Sequence, residues 1–107
     1  MRKAQDCQTM AHVRAEIDRI DAALVALLAE RSGYIDAAAR IKAGVDLPAR
    51  IEPRVEEVVA NVRRHAEARG LAPDLVESLW RALIDWSIAR EEGHLGPDSA
   101  RPPVSKG

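Results

Sequence analysis

Apolar residues in the N-terminal half of the chain recur at alternating steps of four and three residues. The series consists of Val13, Ile17, Ile20, Leu24 and Leu27, and it resumes at Tyr34, Ala38 and Ile41. Such steps align apolar side chains in one seam along a helix, a pattern typical of a helix that packs lengthwise against another. No proline interrupts the series.

The seam predicts a long first helix from about Met10 to about Lys42, with Thr9 as its N-cap and Gly44 as its terminator. At 1.5 Å per residue this helix is about 50 Å long. Because a compact domain of this size is narrower than that, we expect the helix to protrude from its own domain or to lie along a partner chain.

A second helix is expected after a loop at residues 44–51, which contains Gly, Asp and Pro48. Pro53 suits its first turn, and Gly70 is expected to end it. Its apolar stripe consists of Val55, Val58 or Val59, Val62 and Ala66.

A third helix is expected to open at Pro73 or Asp74, with Glu77 available for first-turn capping, and to fade near Gly93. The side chains predicted to face inward are Val76, Leu79, Trp80, Leu83, Ile84, Ser87 and Ile88. Residues 96–107 include three Pro, two Ser and two Gly, so we expect a disordered tail after a single helical domain at residues 1–95.

The composition agrees with an all-α chain. Of the 107 residues, 47% are apolar but only 3% are aromatic, Phe is absent and Ala occurs 19 times. β-Sheets depend on β-branched and aromatic residues, whereas Ala is the best helix former. A chain this short with few bulky side chains is marginal as a monomer, which favours burial against a second copy.

Charge and cysteine content exclude other classes of protein. Sixteen basic and seventeen acidic residues give a net charge of -1, so no nucleic-acid partner is expected. The longest uncharged stretch, residues 22–29, is too short to cross a membrane. Cys7 has no partner for a disulfide and no signal peptide is evident, so the predicted location is the cytoplasm.

Two cations interrupt the first helix on one face. Arg31 stands where the seam calls for an apolar residue, and Lys42 follows 11 residues later, about 20° around the helix and about 16 Å along it. Their long side chains could converge on one small anion. The alternative is that Arg31 pairs with Glu30 or Asp36 on the surface and Lys42 is an ordinary C-terminal helix cation.

The third helix carries a matching anomaly, because Ser87 and Glu91 continue the row of Trp80 and Ile84. A hydroxyl and a carboxyl are thus expected on its inner face, unless the helix has frayed by Glu91 and left it solvated. Arg14 lies about 25 Å from Arg31 along the same helix, too far for both to touch one small ligand. If Arg14 joins the site it must come from another copy of the chain, which indicates an antiparallel dimer.

Residues 13–21, 27–31 and 40–42 resemble the first helix of the all-helical (AroQ-class) chorismate mutases and of the related isochorismate pyruvate lyases. Asp6 and Cys7, just ahead of that helix, are particularly like the lyases. The resemblance extends over roughly residues 6–92. It implies an intertwined homodimer of three-helix chains with two sites, each of which takes one arginine from the partner's long helix.

The resemblance also implies roles for individual residues. Arg31 and the partner subunit's Arg14 would bind the two carboxylates of the substrate. Lys42 would donate to the ether oxygen whose bond breaks, and to the neighbouring hydroxyl. Glu91 falls where most bacterial members carry a Gln that donates to the same oxygen, and a Glu can donate only when protonated.

Further positions implied to contact or enclose the substrate are Arg54, Ser87, Ala38 and Ile84. Arg54 would help close the site over a carboxylate, and the two apolar side chains would line it. One departure concerns the mutases' Glu near the start of helix two, which accepts from the ring hydroxyl. Here that place is Pro53, with Glu52 one residue earlier.

The function implied first is that of a chorismate mutase, converting chorismate to prephenate in aromatic amino-acid biosynthesis. An isochorismate pyruvate lyase, releasing salicylate and pyruvate, is the alternative, and a non-catalytic helical dimerisation module is a third. A helix-turn-helix DNA binder is disfavoured by the mixed charges flanking residues 70–74. A pericyclic step needs no metal and no cofactor, and none is expected.

Overall fold

The computed structural model describes residues 1–95, which form three α-helices and one short 3-10 turn and contain no strand. The helices are α1 (Met10–Gly44), α2 (Glu52–Ala68) and α3 (Pro73–Leu95), and the 3-10 turn is Ala4–Asp6. The prediction of an all-α chain of three helices is confirmed, and the first helix ends two residues later than predicted. The disorder predicted for residues 96–107 concerns a segment outside the described residues.

Local capping explains where α1 begins and how it ends. The Thr9 hydroxyl oxygen accepts a hydrogen bond from the His12 amide at 3.1 Å, so Thr9 is the N-cap as predicted. Gly44 is the last helical residue, but the left-handed residue that turns the chain is Asp46, with a φ of 59°. The Leu47 amide then reaches back to the Lys42 carbonyl at 3.0 Å, the long-range bond of a Schellman motif.

The ends of α2 follow the sequence more directly. Pro53 occupies its first turn, where its missing amide hydrogen costs no bond. Gly70 adopts a φ of 72° just after the helix, and the Leu71 amide donates to the Ala66 carbonyl at 2.8 Å. Gly70 therefore terminates α2 as predicted.

The chain divides into two compact units, Met1–Tyr34 and Ile35–Gly107. In the second unit α2 packs along α3 around a small core of Ala49, Val55, Val59, Ile84 and Ile88. Val58, Trp80 and Leu95 cover this core in part. Its members are mostly small, so the two helices can approach closely.

One residue of the predicted inner face of α3 lies elsewhere. Leu79 is 56% exposed in the single chain, and Leu75 and Trp86 are also exposed. The buried row runs instead through Val76, Ile84, Ser87, Ile88 and Glu91. Leu79 was predicted to face inward because it is apolar. This prediction is wrong for the single chain, because α3 carries apolar residues on more than one face.

Salt bridges also join α2 to α3. Glu77, expected to cap the first turn of α3, instead accepts hydrogen bonds from Arg63 and Arg81, each at 2.7 Å. Arg81 also makes a two-pronged contact with Glu56, at 3.1 and 3.3 Å. Hydrogen bonds from Arg81 and then from Arg63 hold the pKa of Glu77 below its ordinary value.

In the first unit, the apolar seam of α1 is largely exposed to solvent in the single chain. Its exposed members include Ile17, Ile20, Leu24, Leu27 and Tyr34, and the neighbouring Leu28 is exposed as well. Hydrophobic side chains in such a continuous row are typical of an interaction surface. None of the helices within residues 1–95 has the length and apolarity needed to cross a membrane.

Candidate active site

The centre of the candidate site is a buried ion pair between α1 and α3. The Lys42 Nζ lies 2.7 Å from the Glu91 Oε1, and the two side chains are only 17% and 6% exposed. The same Nζ donates to the Ala49 carbonyl, also at 2.7 Å. Lys42 therefore connects α1, the loop before α2 and α3.

Glu91 was expected either on the inner face of α3 or solvated at a frayed helix end, and its burial decides between the two. Helix α3 continues to Leu95, so Glu91 is neither frayed nor solvated. The alternative in which Lys42 is an ordinary cation at a helix end is also wrong, because its ammonium is held by two protein oxygens. Charge-assisted hydrogen bonds of this length are strong, and burial strengthens them further.

Ser87 and Ile84 lie on the same inner face of α3, one and two turns before Glu91. They are 3% and 6% exposed, and the Ser87 hydroxyl donates to the Leu83 carbonyl at 2.8 Å. The sequence pattern that placed a hydroxyl and a carboxyl inward is therefore confirmed as to position. Their contact with substrate stays a prediction.

The small residues of α1 near Lys42 differ slightly from expectation. Ala38, expected to line the site, is only half-buried, whereas its neighbour Ala39 is 1% exposed. The helical period allowed either residue to face inward, and the step of one residue could not be resolved from the seam.

The three arginines expected at the site lie on two helices. Arg14 is exposed and Arg31 half-buried, both on α1 in the first unit. Arg54 lies in the first turn of α2, is 64% exposed and donates to Glu57 at 2.9 Å. In the single chain Arg54 is thus not part of the buried group around Lys42, and the roles of all three arginines remain predictions.

The start of α2 also shows how Glu52 is used. Its carboxylate accepts from Arg50 at 3.0 Å and is 61% exposed. Arg50 in turn contacts Asp85 of α3 at 2.7 Å. Glu52 therefore takes part in an exposed salt-bridge network between the start of α2 and α3. Pro53, at the place of the mutases' acceptor Glu, has no side chain that can form a hydrogen bond.

Sequence reasoning missed a second contact between α1 and α3. Asp36 accepts from Arg90 through both oxygens, at 2.7 and 2.9 Å, and its Oδ1 lies 3.0 Å from the His94 Nε2. The hydrogen bonds from Arg90 hold the pKa of Asp36 below its ordinary value. The i, i+4 spacing of Arg90 and His94 was the available signal, since it places both on one side of a helix.

This arrangement can donate a hydrogen bond to a small anion. Lys42 is a partly buried, oriented donor, and an anionic oxygen of a ligand could share or replace its contact with Glu91. Within residues 1–95, no three His, Cys, Asp or Glu side chains are grouped so as to hold a metal ion.

Comparison with known proteins places the chain in a family. The sequence profile of the family described as chorismate mutase type II matches residues 13–92, which include α2, most of α1 and Glu91 of α3. The chain belongs to this family of all-helical proteins.

Two relatives illustrate the range of proteins that it is similar to. The isochorismate pyruvate lyase of Pseudomonas aeruginosa is 38% identical over 92 residues, covering 85% of this chain and 89% of the lyase. The T-protein of Enterobacter agglomerans is 34% identical over 79 residues, covering 74% of this chain but 21% of the T-protein. The family supports an enzyme that acts as a chorismate mutase or as an isochorismate pyruvate lyase.

Proposed function

We propose that this protein is a chorismate mutase, converting chorismate to prephenate in aromatic amino-acid biosynthesis in the cytoplasm. The observation that carries the proposal is the partly buried Lys42, held by the buried Glu91 and by the Ala49 carbonyl. Its place matches the residue that, in the family resembled, donates to the breaking ether bond. The match of residues 13–92 to the mutase family supports the same assignment.

The reaction needs conformational restraint and charge stabilisation. In the pericyclic step the ether C–O bond breaks while a C–C bond forms, and negative charge grows on the departing oxygen. A preorganised donor at that oxygen stabilises the transition state more than the substrate. Lys42 supplies this donor, since the protein already holds its ammonium in place.

Arginines hold the flexible dianion in its compact conformer. Arg31 and the partner subunit's Arg14 bind the two carboxylates, and Arg54 closes over one of them. Guanidinium groups suit this task because they form two parallel hydrogen bonds with a carboxylate. Holding the reacting carbons close together removes much of the entropic part of the barrier.

The site therefore needs a homodimer. The apolar seam of α1 remains exposed in one chain, and covering it with the seam of a second copy brings that copy's arginine to the site. The two assignments support each other, because the same long helix carries the interface and Arg14.

Glu91 acts next to Lys42 in the proposed site. As a carboxylate it accepts from Lys42 and orients the ammonium, but it would repel the charge that grows on the ether oxygen. As a carboxylic acid it would donate to that oxygen beside Lys42.

The second candidate is an isochorismate pyruvate lyase, which would use Lys42 at the same ether oxygen and release pyruvate and salicylate. The similarity to the lyase over 89% of that protein favours it. Two features of the chain favour it as well: Asp6 and Cys7 ahead of α1, and Pro53 in place of the mutases' ring-hydroxyl acceptor.

The deciding experiment supplies the purified protein with chorismate and isochorismate separately. Prephenate from chorismate supports the mutase, whereas salicylate fluorescence from isochorismate alone supports the lyase. Lys42→Met is the control and is expected to lower kcat/KM by about 100-fold or more for the true substrate. Turnover of neither substrate would refute both proposals and leave the helical dimerisation module.

A further inference from the structure

Asp36 lies outside the candidate site but is connected to it through α3. We propose that Asp36, Arg90 and His94, here named the α3 clamp, position Glu91 opposite Lys42. Asp36 is thus a positioning residue for the donor pair. The effect on turnover rests on the proposed function, whereas the structural effect on α3 does not.

The clamp has the geometry of a bidentate ion pair between the exposed Arg90 and the half-buried Asp36. The Arg90 Nε and Nη2 donate in parallel to the two oxygens of Asp36, at 2.7 and 2.9 Å. Bidentate contacts of this kind fix orientation as well as distance. Arg90 also lies 5.5 Å from the centroid of the Trp86 ring, within cation–π range. The guanidinium is therefore held on two sides.

His94 extends the clamp by one more turn of α3. Its Nε2 lies 3.0 Å from the same Asp36 Oδ1 that accepts from the Arg90 Nε. One carboxylate of α1 is thus joined to residues 90 and 94, which lie four apart on one side of α3.

The clamp and the donor pair are next to each other in sequence. Arg90 directly precedes Glu91, and Asp36 precedes Lys42 by six residues, about 9 Å along α1. Residues 36–42 of α1 therefore contact the end of α3 at two places, the clamp and the Lys42–Glu91 pair. A change at one contact is expected to shift the other, because neighbouring residues of a helix move together.

The end of α3 needs this support. The buried core of α2 and α3 reaches Ile88, and of the described residues beyond it, 89–95, only Leu95 packs in part against that core. Glu91 lies between them, in the last two turns of the helix. Helix ends open at little cost in free energy unless contacts hold them. The clamp supplies such contacts on the turn that contains Glu91.

The first test removes the clamp and measures α3 directly. Asp36→Ala should speed amide hydrogen exchange at residues 89–95 by about tenfold or more, because the last turns open more often. Arg90→Lys keeps the charge but loses the parallel hydrogen bonds, and should show a smaller increase. The matched control is Glu56→Gln, which breaks another two-pronged arginine contact, that with Arg81, and should leave exchange at residues 89–95 unchanged.

The second test asks whether the clamp acts through Glu91. Asp36→Ala should lower kcat about tenfold and change KM much less, since a displaced Glu91 no longer orients Lys42, the proposed donor to the transition state. In a Glu91→Ala background the same substitution should have no further effect on kcat. Glu56→Gln should leave kcat and KM at wild-type values.

Three results would overturn the proposal: unchanged exchange at residues 89–95 in Asp36→Ala, unchanged kcat in that variant, or an equal drop in kcat with and without Glu91. If the wild-type protein turns over neither substrate, the proposed function fails, and the exchange measurement alone decides on the clamp. If it does turn over a substrate but Asp36→Ala leaves kcat unchanged, the clamp fails and the proposed function stands.

Discussion

The Lys42 ammonium contacts two protein oxygens in place of water, one of them on Glu91. The charges of Lys42 and Glu91 therefore stabilise each other. Removing water from an ion is costly, and the partner's charge offsets the cost only while both members are present. The pair is therefore a site-forming feature more than a source of stability. Removing one member has two separable consequences, for folding and for turnover.

Lys42→Met should reduce both properties. The substitution keeps a long apolar stem but leaves Glu91 buried without its cation, so we expect the free energy of unfolding to fall by about 3 kcal/mol. Urea unfolding at fixed protein concentration measures this. The double variant Lys42→Met with Glu91→Gln should regain part of the stability and none of the turnover. Equal stability of the single and double variants would show that no buried charge had been stranded.

Glu91→Gln should raise kcat/KM at neutral pH. A Gln side chain can accept from Lys42 and also donate to the ether oxygen, whereas the Glu91 carboxylate accepts from Lys42 and cannot donate. Glu92→Gln, at the neighbouring half-buried position, is the control and should leave kcat/KM unchanged. An unchanged kcat/KM in Glu91→Gln would remove Glu91 from the reaction.

At the scale of the helices, α2 and α3 are joined by charges whose effect depends on pH. The pKa of Glu77 is lowered by hydrogen bonds from Arg81 and Arg63. A carboxylate whose pKa is lower in the folded state stabilises the fold above its ordinary pKa of 4.5, and this contribution is lost as pH falls through the folded value. The contacts should thus hold the helices together at neutral pH and release them in acid.

Glu77→Gln tests this through thermal unfolding at pH 7, 5 and 3. The variant should be less stable than the wild type at pH 7, and the difference should shrink as pH falls towards 3, since the wild-type Glu77 then becomes protonated. Glu67→Gln removes an exposed carboxylate of α2 and should leave the wild-type dependence intact. A difference between Glu77→Gln and wild type that is the same at all three pH values would contradict the argument.

The ends of α1 and α2 each contain a left-handed residue, Asp46 and Gly70, and substitutions at the two positions are expected to have opposite effects on stability. Gly70 has a φ of 72° and no atom within 4 Å of an added Cβ, so Gly70→Ala should cost about 1 kcal/mol through backbone strain alone. Asp46 has a φ of 59°, and Asp46→Gly should relieve strain there. Urea unfolding should show the first variant below and the second at or above wild type. A loss of stability in both would mean that the Asp46 side chain matters more than its backbone.

These ends also show what sequence could predict about the fold. Gly70 was identifiable because Gly accepts a positive φ without cost. The use of Asp46 was not, because Gly44 stood nearby as the better candidate and only the actual path of the loop selects between them. Leu79 was misplaced for a related reason: a single sequence does not say which of several apolar faces is covered by the chain itself.

In the candidate site, too, some features could be predicted from the sequence and others could not. Ser87 and Glu91 were identifiable because polar residues in an apolar row require an explanation, and their inward positions are confirmed. The Ala49 carbonyl was not, since a backbone oxygen in a loop has no sequence signal. Asp36 was noticed only as a surface partner for Arg31, and its contact with Arg90 depends on how α1 meets α3.

At the scale of the whole molecule, the exposed seam of α1 is the basis of the proposed homodimer. If each site combines Arg31 of one chain with the partner subunit's Arg14, then Arg14→Ala and Arg31→Ala should each be nearly inactive alone. A mixed dimer of the two variants contains one site with both arginines and one with neither. After random exchange half of the dimers are mixed, so activity should return to about a quarter of wild type.

A second mixture sharpens the test. The double variant Arg14→Ala with Arg31→Ala, mixed with wild type, has no intact site in the mixed dimer, because the wild-type chain's Arg31 meets an altered partner. Subunit exchange should therefore lower the activity of an equal mixture from about half to about a quarter of an all-wild-type sample. Exchange is followed independently by mass spectrometry of differently labelled chains. If exchange is complete and this mixture stays at half while the first recovers nothing, each site belongs to one chain. The long helix would then serve the interface alone.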